Sequence, residues 1–118
     1  MEPTEGDLEI SLPGHQAKSG EWRLVAHNRR VAQDWIVLCE EWNESALRCF
    51  SWLKSNAMTP YGTRCFPLKG KKYAGCWEYE VTKGHRVFYK PLKEEMKVVI
   101  YYAGRHPKGS APHPPSGL

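Results

Sequence analysis

The chain has 118 residues, of which 41% are hydrophobic, and these values are typical of one domain with its own core. No apolar run of about 18 residues is present, which excludes a membrane-spanning helix, and we expect no secretory signal because no charged leader precedes an apolar stretch. The net charge of +4 is uneven: residues 1–19 carry −3, residues 20–60 carry zero, and residues 61–106 carry +6. The basic region fits either an anionic partner such as nucleic acid or an ordinary solvated surface.

The two ends of the chain differ in composition from its middle. Residues 1–19 are acidic and contain Pro and Gly, and residues 108–118 consist mainly of Pro, Gly, Ser and Ala. Such segments bury too little apolar surface to offset the entropy of ordering them. We therefore predict a folded domain over residues 20–107, between a flexible acidic N-terminal extension and a disordered Pro/Gly-rich tail.

The four cysteines indicate a reducing compartment. They are widely spaced, and none forms a C-x-x-C pair. We therefore expect reduced thiols in a cytoplasmic protein rather than disulfides or a zinc site. Neither a metal nor a cofactor is expected, because no ligand cluster or nucleotide-binding loop is present.

The first half of the domain predicts one strand and two helices. Residues 21–27 alternate apolar and polar side chains, as in a strand. Asn28 can cap a helix over residues 29–42, whose apolar positions are Val31, Trp35, Leu38 and Trp42. Asn43 is predicted to cap a second helix, with an apolar stripe formed by Leu47, Phe50, Leu53 and Ala57.

In the second half the hydrophobic period changes to two. Extended segments are predicted at residues 64–69, 76–81, 85–90 and 97–103, with turns between them. The order β-α-α-β-β-β predicts an α+β fold in which a helical hairpin packs on one face of an antiparallel sheet. The other face is left to carry the outward polar side chains.

Arg86 is the most informative candidate for a functional residue. It lies in the middle of a predicted strand, where a guanidinium must be paired with a carboxylate or be free to bind an anion. Glu78 and Glu80 on the neighbouring strand are the available carboxylates. A cross-strand ion pair without catalytic meaning is the alternative interpretation.

Further basic and aromatic residues suit RNA cleavage. Arg105 and His106 follow the last strand, and an imidazole can transfer protons near neutral pH. Attack by a 2′-hydroxyl needs no metal: it needs a base, a cation that stabilises the phosphorane, and an acid. Arg86 suits the cationic role and His106 suits acid or base. Phosphate binding is predicted for Arg64, Lys69, Lys71, Lys72 and Arg105, and base stacking for Tyr73 or Tyr102.

The second half of the chain resembles toxins of the RelE/ParE superfamily, especially its RelE and YoeB-like members. The matching pieces are Leu-Lys-Gly at 68–70, Gly-Cys-Trp at 75–77, His-Arg-Val-Phe-Tyr at 85–89, and a final strand that ends in Arg-His. Together with the order of elements, the resemblance extends over residues 20–107.

This resemblance implies a toxin of a type II toxin–antitoxin pair, most members being mRNA interferases that act on the ribosome. It implies a cognate antitoxin that covers the active surface and so prevents inhibition of translation. Arg86 matches the strand arginine that stabilises the transition state in the family, and His106 matches the catalytic histidine of YoeB-like members.

The sequence also departs from the family pattern. Phe66 occupies the position of the glutamate base of YoeB-like toxins, and Pro107 that of their catalytic tyrosine. Glu78 and Glu80 replace lysines of RelE-like members. We assign the base to Glu80, with Glu78 and His106 as alternatives. Two other functions stay open: a ParE-like toxin that inhibits DNA gyrase, and a catalytically degenerate scaffold that only binds an antitoxin.

Overall fold

The structure, a computed structural model, describes residues 8–10 and 20–118. Within these residues two helices and six strands form an α+β fold, as predicted. In chain order the elements are β1 (Leu8–Glu9), β2 (Arg23–Ala26), α1 (Arg29–Glu41), α2 (Asn43–Asn56), β3 (Cys65–Pro67), β4 (Trp77–Thr82), β5 (His85–Leu92) and β6 (Lys97–Arg105). Neither helix is long and apolar enough to cross a membrane.

The sheet is mixed, with strand order β1-β2-β6-β5-β4-β3. Strands β3 to β6 form the predicted antiparallel meander, but β2 pairs in parallel with β6, so that Leu24 lies beside Val98 and Ala26 beside Ile100. The prediction of a wholly antiparallel sheet is therefore wrong at this pair. A parallel pair requires a long connection, and the helices and the meander together supply it.

Strand β1 was not predicted. Leu8 and Glu9 pair with β2, and the buried Ile10 donates its backbone N–H to the Leu24 carbonyl at 2.8 Å. Arg23 and Glu9 form an ion pair at 2.6 Å. Part of the predicted N-terminal extension therefore lengthens the sheet, and the rest of it lies outside the described residues.

Helix α1 begins as predicted, because the Asn28 side chain accepts a hydrogen bond from the Val31 N–H at 2.9 Å. The end of the helix differs from the prediction. Trp42 follows α1 and is 44% exposed, so it does not belong to the buried stripe of Val31, Trp35 and Leu38.

Two expectations for the second helix are wrong. Asn43 is the first residue of α2 rather than its cap, and Trp42 at the cap position makes no side-chain capping bond. The predicted stripe is confirmed at Phe50, Leu53 and Ala57, which are buried, but Leu47 is 47% exposed and Ala46 is buried in its place.

The two faces of the sheet carry separate apolar clusters. The larger cluster lies on the helix side, where the fully buried Tyr89 donates its hydroxyl to the Ala57 carbonyl at 2.9 Å. The opposite face, which we call the open face, carries a smaller cluster of four buried residues: Tyr73, Cys76, Phe88 and Tyr101. Cys65 and Cys76 belong to different clusters, and all four cysteines are free thiols.

A β-bulge in β6 shapes the open face. Phe88 pairs with Tyr102 and Tyr89 pairs with Ile100, so Tyr101 is the extra residue. The bulge allows both consecutive tyrosines to join the cluster on the open face, which strict alternation would forbid.

Residues 108–118, which we call the C-terminal segment, lie along this cluster. Ala111 and Leu118 pack against it. We predicted disorder for the segment from its composition, whereas the structure gives it specific contacts with the open face.

Candidate functional site

Arg86 lies on the open face of the sheet, opposite the helices, and its side chain is only 11% exposed. Its Nε donates to Glu78 Oε2 at 3.0 Å, and its Nη2 lies 3.4 Å from Glu80 Oε1. The register of β4 and β5 produces this arrangement, because Arg86 pairs directly with Glu80 and lies diagonally from Glu78. The pairing that the sequence suggested is therefore present with both carboxylates.

The remaining donor of the guanidinium is also occupied. Nη1 donates to the carbonyls of Thr82 at 2.7 Å, Lys83 at 3.1 Å and His85 at 3.1 Å. The guanidinium is thereby fixed against the turn between β4 and β5. With two carboxylates and one cation the group carries a net charge of −1, so Arg86 is not a free anion site in this state.

The two carboxylates differ in their accessibility. The Glu78 side chain is 14% exposed and makes the shorter contact, whereas the Glu80 side chain is 27% exposed and makes the longer one. A ligand therefore reaches Glu80 and the adjacent Nη2 more readily than Glu78. This difference favours Glu78 as the fixed partner of Arg86 and Glu80 as the carboxylate free to react.

His106 lies at the same end of the sheet. Its backbone N–H donates to the carbonyl of Gly84, in the turn between β4 and β5, at 2.8 Å. The residue before Gly84 in this turn is Lys83, whose carbonyl accepts from Arg86. The side chain is exposed, and its Nδ1–H donates to the Pro107 carbonyl at 2.7 Å. Since a carbonyl can only accept, Nδ1 carries the proton and Nε2 is left as the exchangeable nitrogen.

The loop lysines lie at the other end of the sheet. Lys69, Lys71 and Lys72 fall between β3 and β4, next to the pairing of Pro67 with Trp77. Arg86 pairs with Glu80 near the opposite end of β4, so at about 3.3 Å per residue the two groups lie roughly 10 Å or more apart along the strand. A single patch does not contain both groups, and only a ligand several nucleotides long could contact both.

The other predicted RNA-binding residues are also dispersed. Arg64 lies beside the Tyr79 hydroxyl, among the buried groups of the helix side. Tyr102 donates its hydroxyl to the Arg105 carbonyl and meets the Phe88 ring edge-on at a centroid distance of 5.6 Å. Burial and the negative charge of Asp34 raise the pKa of Tyr102, which keeps this hydroxyl a donor.

Arg105 lines a pocket on the helix side instead of the open face. The pocket has a volume of about 560 Å³ and lies between α1 and the ends of β5 and β6. Its polar lining includes Asp34, Glu41, His85 and Arg105. The half-exposed Trp42 forms one wall, with its ring 5.2 Å from that of His85. Sequence reasoning missed this pocket, because the residues come from three distant segments and share no local pattern.

The part of the chain that the structure describes contains no group of three His, Cys, Asp or Glu side chains arranged to hold a metal ion. The side chains held at the turn between β4 and β5 and at its neighbours supply a carboxylate, a guanidinium and an imidazole. These groups can remove a proton, stabilise an oxyanion and donate a proton, respectively.

Comparison with solved structures places the fold in a known class: it is the fold of YoeB/ParE toxins. A YoeB/ParE toxin from Agrobacterium tumefaciens is 22% identical with a TM-score of 0.56, over 70% of this chain and 97% of that one. The YoeB–YefM complex from Staphylococcus aureus gives 15% identity and a TM-score of 0.56, over 72% of this chain and 97% of the matched chain. A metal-bound toxin from Helicobacter pylori is 18% identical with a TM-score of 0.50, over 67% of this chain and 89% of that one.

No protein-family model and no curated protein sequence matches the chain. The resemblance to the RelE/ParE superfamily that the sequence suggested is confirmed at the level of the fold. The structural matches cover nearly the whole of the matched chains but about 70% of this chain.

Proposed function

We propose that this protein is the toxin of a type II toxin–antitoxin pair and that it cleaves mRNA on the ribosome as a metal-independent endoribonuclease. One observation carries the proposal: Glu80 and Arg86 lie in contact on the open face, and His106 is attached to the same turn. The shared fold with YoeB/ParE toxins supports the class.

The proposed reaction uses these three residues in distinct roles. Glu80 accepts the proton of the RNA 2′-hydroxyl as the 2′-oxygen forms its bond to phosphorus. Arg86 Nη2 stabilises the charge of the five-coordinate phosphorane. His106 acts as the imidazolium, with protons on both ring nitrogens, and its Nε2–H protonates the departing 5′-oxygen. The products are a 2′,3′-cyclic phosphate and a 5′-hydroxyl, so atoms and protons balance without a metal.

Binding of the scissile phosphate requires a local rearrangement. Because Glu80 holds Nη2 only at 3.4 Å, a phosphodiester oxygen can replace this carboxylate at Nη2 while Glu78 keeps the guanidinium in place. Replacement also moves Glu80 towards the 2′-hydroxyl. Arg105 and Tyr102 then lie along the path of the RNA around the end of the sheet, and the loop lysines Lys69, Lys71 and Lys72 hold phosphates further along the strand.

A protein antitoxin is the proposed partner, by comparison with the YoeB–YefM complex from Staphylococcus aureus. The open face is its proposed binding surface, because an antitoxin that covers Arg86 and Glu80 excludes RNA from the same groups. The proposed location of both proteins is the cytoplasm.

The test compares wild type, Arg86→Ala and Arg48→Ala after induction in bacteria. Arg48 is the matched control, because it is exposed on α2 and its side chain donates to the neighbouring Ser45 hydroxyl at 3.2 Å. We expect wild type and Arg48→Ala to stop growth and to generate new mRNA 5′ ends. Arg86→Ala and His106→Ala should each reduce cleavage by about 10²-fold or more. Full cleavage by either variant would contradict the assigned site.

A folding control is needed, because Arg86→Ala leaves two carboxylates without their cation. The unfolding midpoint of each purified variant in urea shows whether it is folded. Arg86→Lys keeps the positive charge but loses the forked geometry, so we expect a folded protein with strongly reduced cleavage. Cleavage of a defined RNA in the presence of excess EDTA tests the independence from metal ions.

A second candidate function is supported by the charge balance at Arg86. Two carboxylates and three carbonyls satisfy the guanidinium, as in a purely structural network. Such a protein would inhibit DNA gyrase in the manner of ParE toxins, or would only bind an antitoxin. Growth arrest with intact mRNA and damaged DNA would support the first possibility, and antitoxin binding without growth arrest would support the second.

A further inference from the structure

The open face carries a second feature beyond the candidate site, at the other end of the cluster. Four aromatic residues pack together there with Ala111 and Leu118 against them, and we call the surface under these two residues the aromatic groove: Tyr73, Phe88, Tyr101 and Tyr102. Lys90 lies beside them on β5 and Lys72 holds its ammonium 5.4 Å from the centre of the Tyr73 ring. Glu80, Arg86 and His106 lie outside this groove, whereas Tyr102 and Lys72 are also among the proposed RNA contacts.

The C-terminal segment occupies the aromatic groove through contacts along its length. Tyr73 donates its hydroxyl to the Ala111 carbonyl at 2.8 Å, and the His113 ring meets the Tyr73 ring edge-on at 5.8 Å. Lys90 Nζ donates to the Leu118 carbonyl at 2.8 Å. Polar contacts at both ends of the segment therefore accompany the apolar packing of Ala111 and Leu118.

The chemistry of these contacts identifies the kind of ligand. Residues 111–115 (APHPP) form neither helix, strand nor turn, and three of the five are prolines with a restricted backbone. Peptides of this type keep their carbonyls available and lose little entropy on binding. Grooves lined by aromatic side chains bind such peptides, and hydroxyl or ammonium groups beside the aromatic rings donate hydrogen bonds to the peptide carbonyls. Tyr73 and Lys90 supply those donors here.

We propose that the aromatic groove is a peptide-binding site for an extended, proline-containing segment of a partner protein, and that the C-terminal segment is its resident occupant. The partner segment binds by replacing residues 108–118. Because the partner can bind only while the groove is empty, its apparent affinity scales with the fraction of molecules whose groove is empty. A groove filled 99% of the time lowers the apparent affinity about 100-fold.

The experiment uses the full chain with its C-terminal segment released. Ala111→Lys together with Leu118→Lys removes two apolar contacts and places positive charge near Lys90 and Lys72. Ser110→Lys together with Ser116→Lys is the matched control, because both serines are exposed and the change in charge is the same. The probe is a fluorescent synthetic peptide with the sequence of residues 107–118, and its binding is followed by fluorescence anisotropy.

We expect the released variant to bind the peptide at least tenfold more tightly than the control variant does. A peptide with serine at positions 112, 114 and 115 should bind at least about fivefold more weakly, because it loses the restricted backbone. Adding Tyr73→Phe to the released variant should weaken binding by about fivefold, since the ring remains and only the hydrogen bond to the carbonyl is lost.

Labelling of Cys76 by an alkylating reagent gives a second readout on the same proteins. Cys76 is 1% exposed and belongs to the cluster that the segment covers. Release should increase its labelling, and saturating peptide should reverse the increase. Equal peptide binding by released and control variants, or equal binding of the proline and serine peptides, would overturn the proposal. Neither readout involves RNA, so the result is independent of the nuclease proposal.

Discussion

The two faces of the sheet differ in how their buried tyrosine hydroxyls are bonded. On the helix side, the Tyr89 hydroxyl has two partners, the Ala57 carbonyl at 2.9 Å and the Cys65 sulfur at 3.2 Å. On the open face, the Tyr101 hydroxyl is buried without a hydrogen bond to any residue in the described part of the chain. The helix side also keeps two such atoms, the indole nitrogens of Trp35 and Trp52, so the faces are distinguished by their tyrosines and by what covers them.

The two faces also differ in what covers them. The helix side is covered by α1 and α2. The open face is covered at one end by the ion pairs of Arg86 and at the other by the irregular C-terminal segment, to which Tyr73 and Lys90 each donate one hydrogen bond. Because parts of a fold that are held by few contacts open more readily, we expect local opening to expose the open face before the helix side.

The largest expected effect comes from the core under the helices. Phe50 is 1% exposed, and Phe50→Ala should lower the free energy of unfolding by about 3–5 kcal/mol, because the cavity cannot collapse between α2 and the sheet. Urea denaturation measures the loss. Leu47→Ala on the exposed side of the same helix is the control and should cost about 1 kcal/mol or less. Equal losses for the two variants would show that the two sides of α2 are not distinguished by burial.

The two tyrosines provide a matched pair that tests the comparison directly. Tyr89→Phe removes a hydroxyl with two partners and should cost about 1–3 kcal/mol. Tyr101→Phe removes a buried hydroxyl that has no described partner, so stability should be unchanged or slightly higher. Thermal or urea unfolding of both variants gives the measurement, and a larger loss for Tyr101→Phe would contradict the difference between the faces.

The two glutamates at Arg86 have different expected effects on RNA. Glu78→Gln removes one negative charge from a group of net charge −1, so affinity for a non-cleavable RNA should rise about fivefold. Glu80→Gln should raise affinity similarly but reduce cleavage by about 10²-fold, because the proposed base is lost. Binding by anisotropy and cleavage by gel analysis separate the effects. If Glu78→Gln alone abolishes cleavage, the base is Glu78.

The smallest expected effect concerns Cys39 on α1. Burial, and then the negative charge of Glu40, raise its pKa from 9.0 to about 11. The folded thiol therefore keeps its proton at pH values where the unfolded chain releases it, so stability falls as pH rises from about 9 to 11. Urea unfolding at pH 8 and at pH 10.5 should show a smaller decrease for Cys39→Ala than for wild type. An identical decrease would mean that other groups account for the pH dependence.

The sequence predicts the parts of this fold that repeat with a regular period. The spacing of Val31, Trp35 and Leu38 located α1, and the alternation around Trp77 and Tyr89 located the central hairpin. The same alternation placed Arg86 opposite Glu80, because residues in one hairpin share a register set by its turn. The assignment of catalytic roles to Arg86, Glu80 and His106 stays a prediction.

Other features depend on contacts between distant segments, and local patterns do not encode them. The parallel pairing of β2 with β6 and the bulge at Tyr101 are decided by how whole elements pack. The pocket at Trp42 and Arg105 forms only because the end of α1 lies next to the end of β6 in the folded chain. The placement of Ala111 and Leu118 on the open face was missed. A proline-rich composition indicates that a segment forms no core of its own, but it carries no information about a surface that other segments form and against which the segment can pack.

The position of β6 has a consequence for synthesis of the protein. β6 lies between β2 and β5, so the last strand of the described residues is the one that joins the two parts of the sheet. Until residue 105 has been translated, β2 has no parallel neighbour and the apolar side of the helices has no complete surface to cover. Translation delivers roughly 5–20 residues per second, so several seconds separate the synthesis of β2 from that of β6. The two parts of the sheet thus become one surface only once β6 has been made.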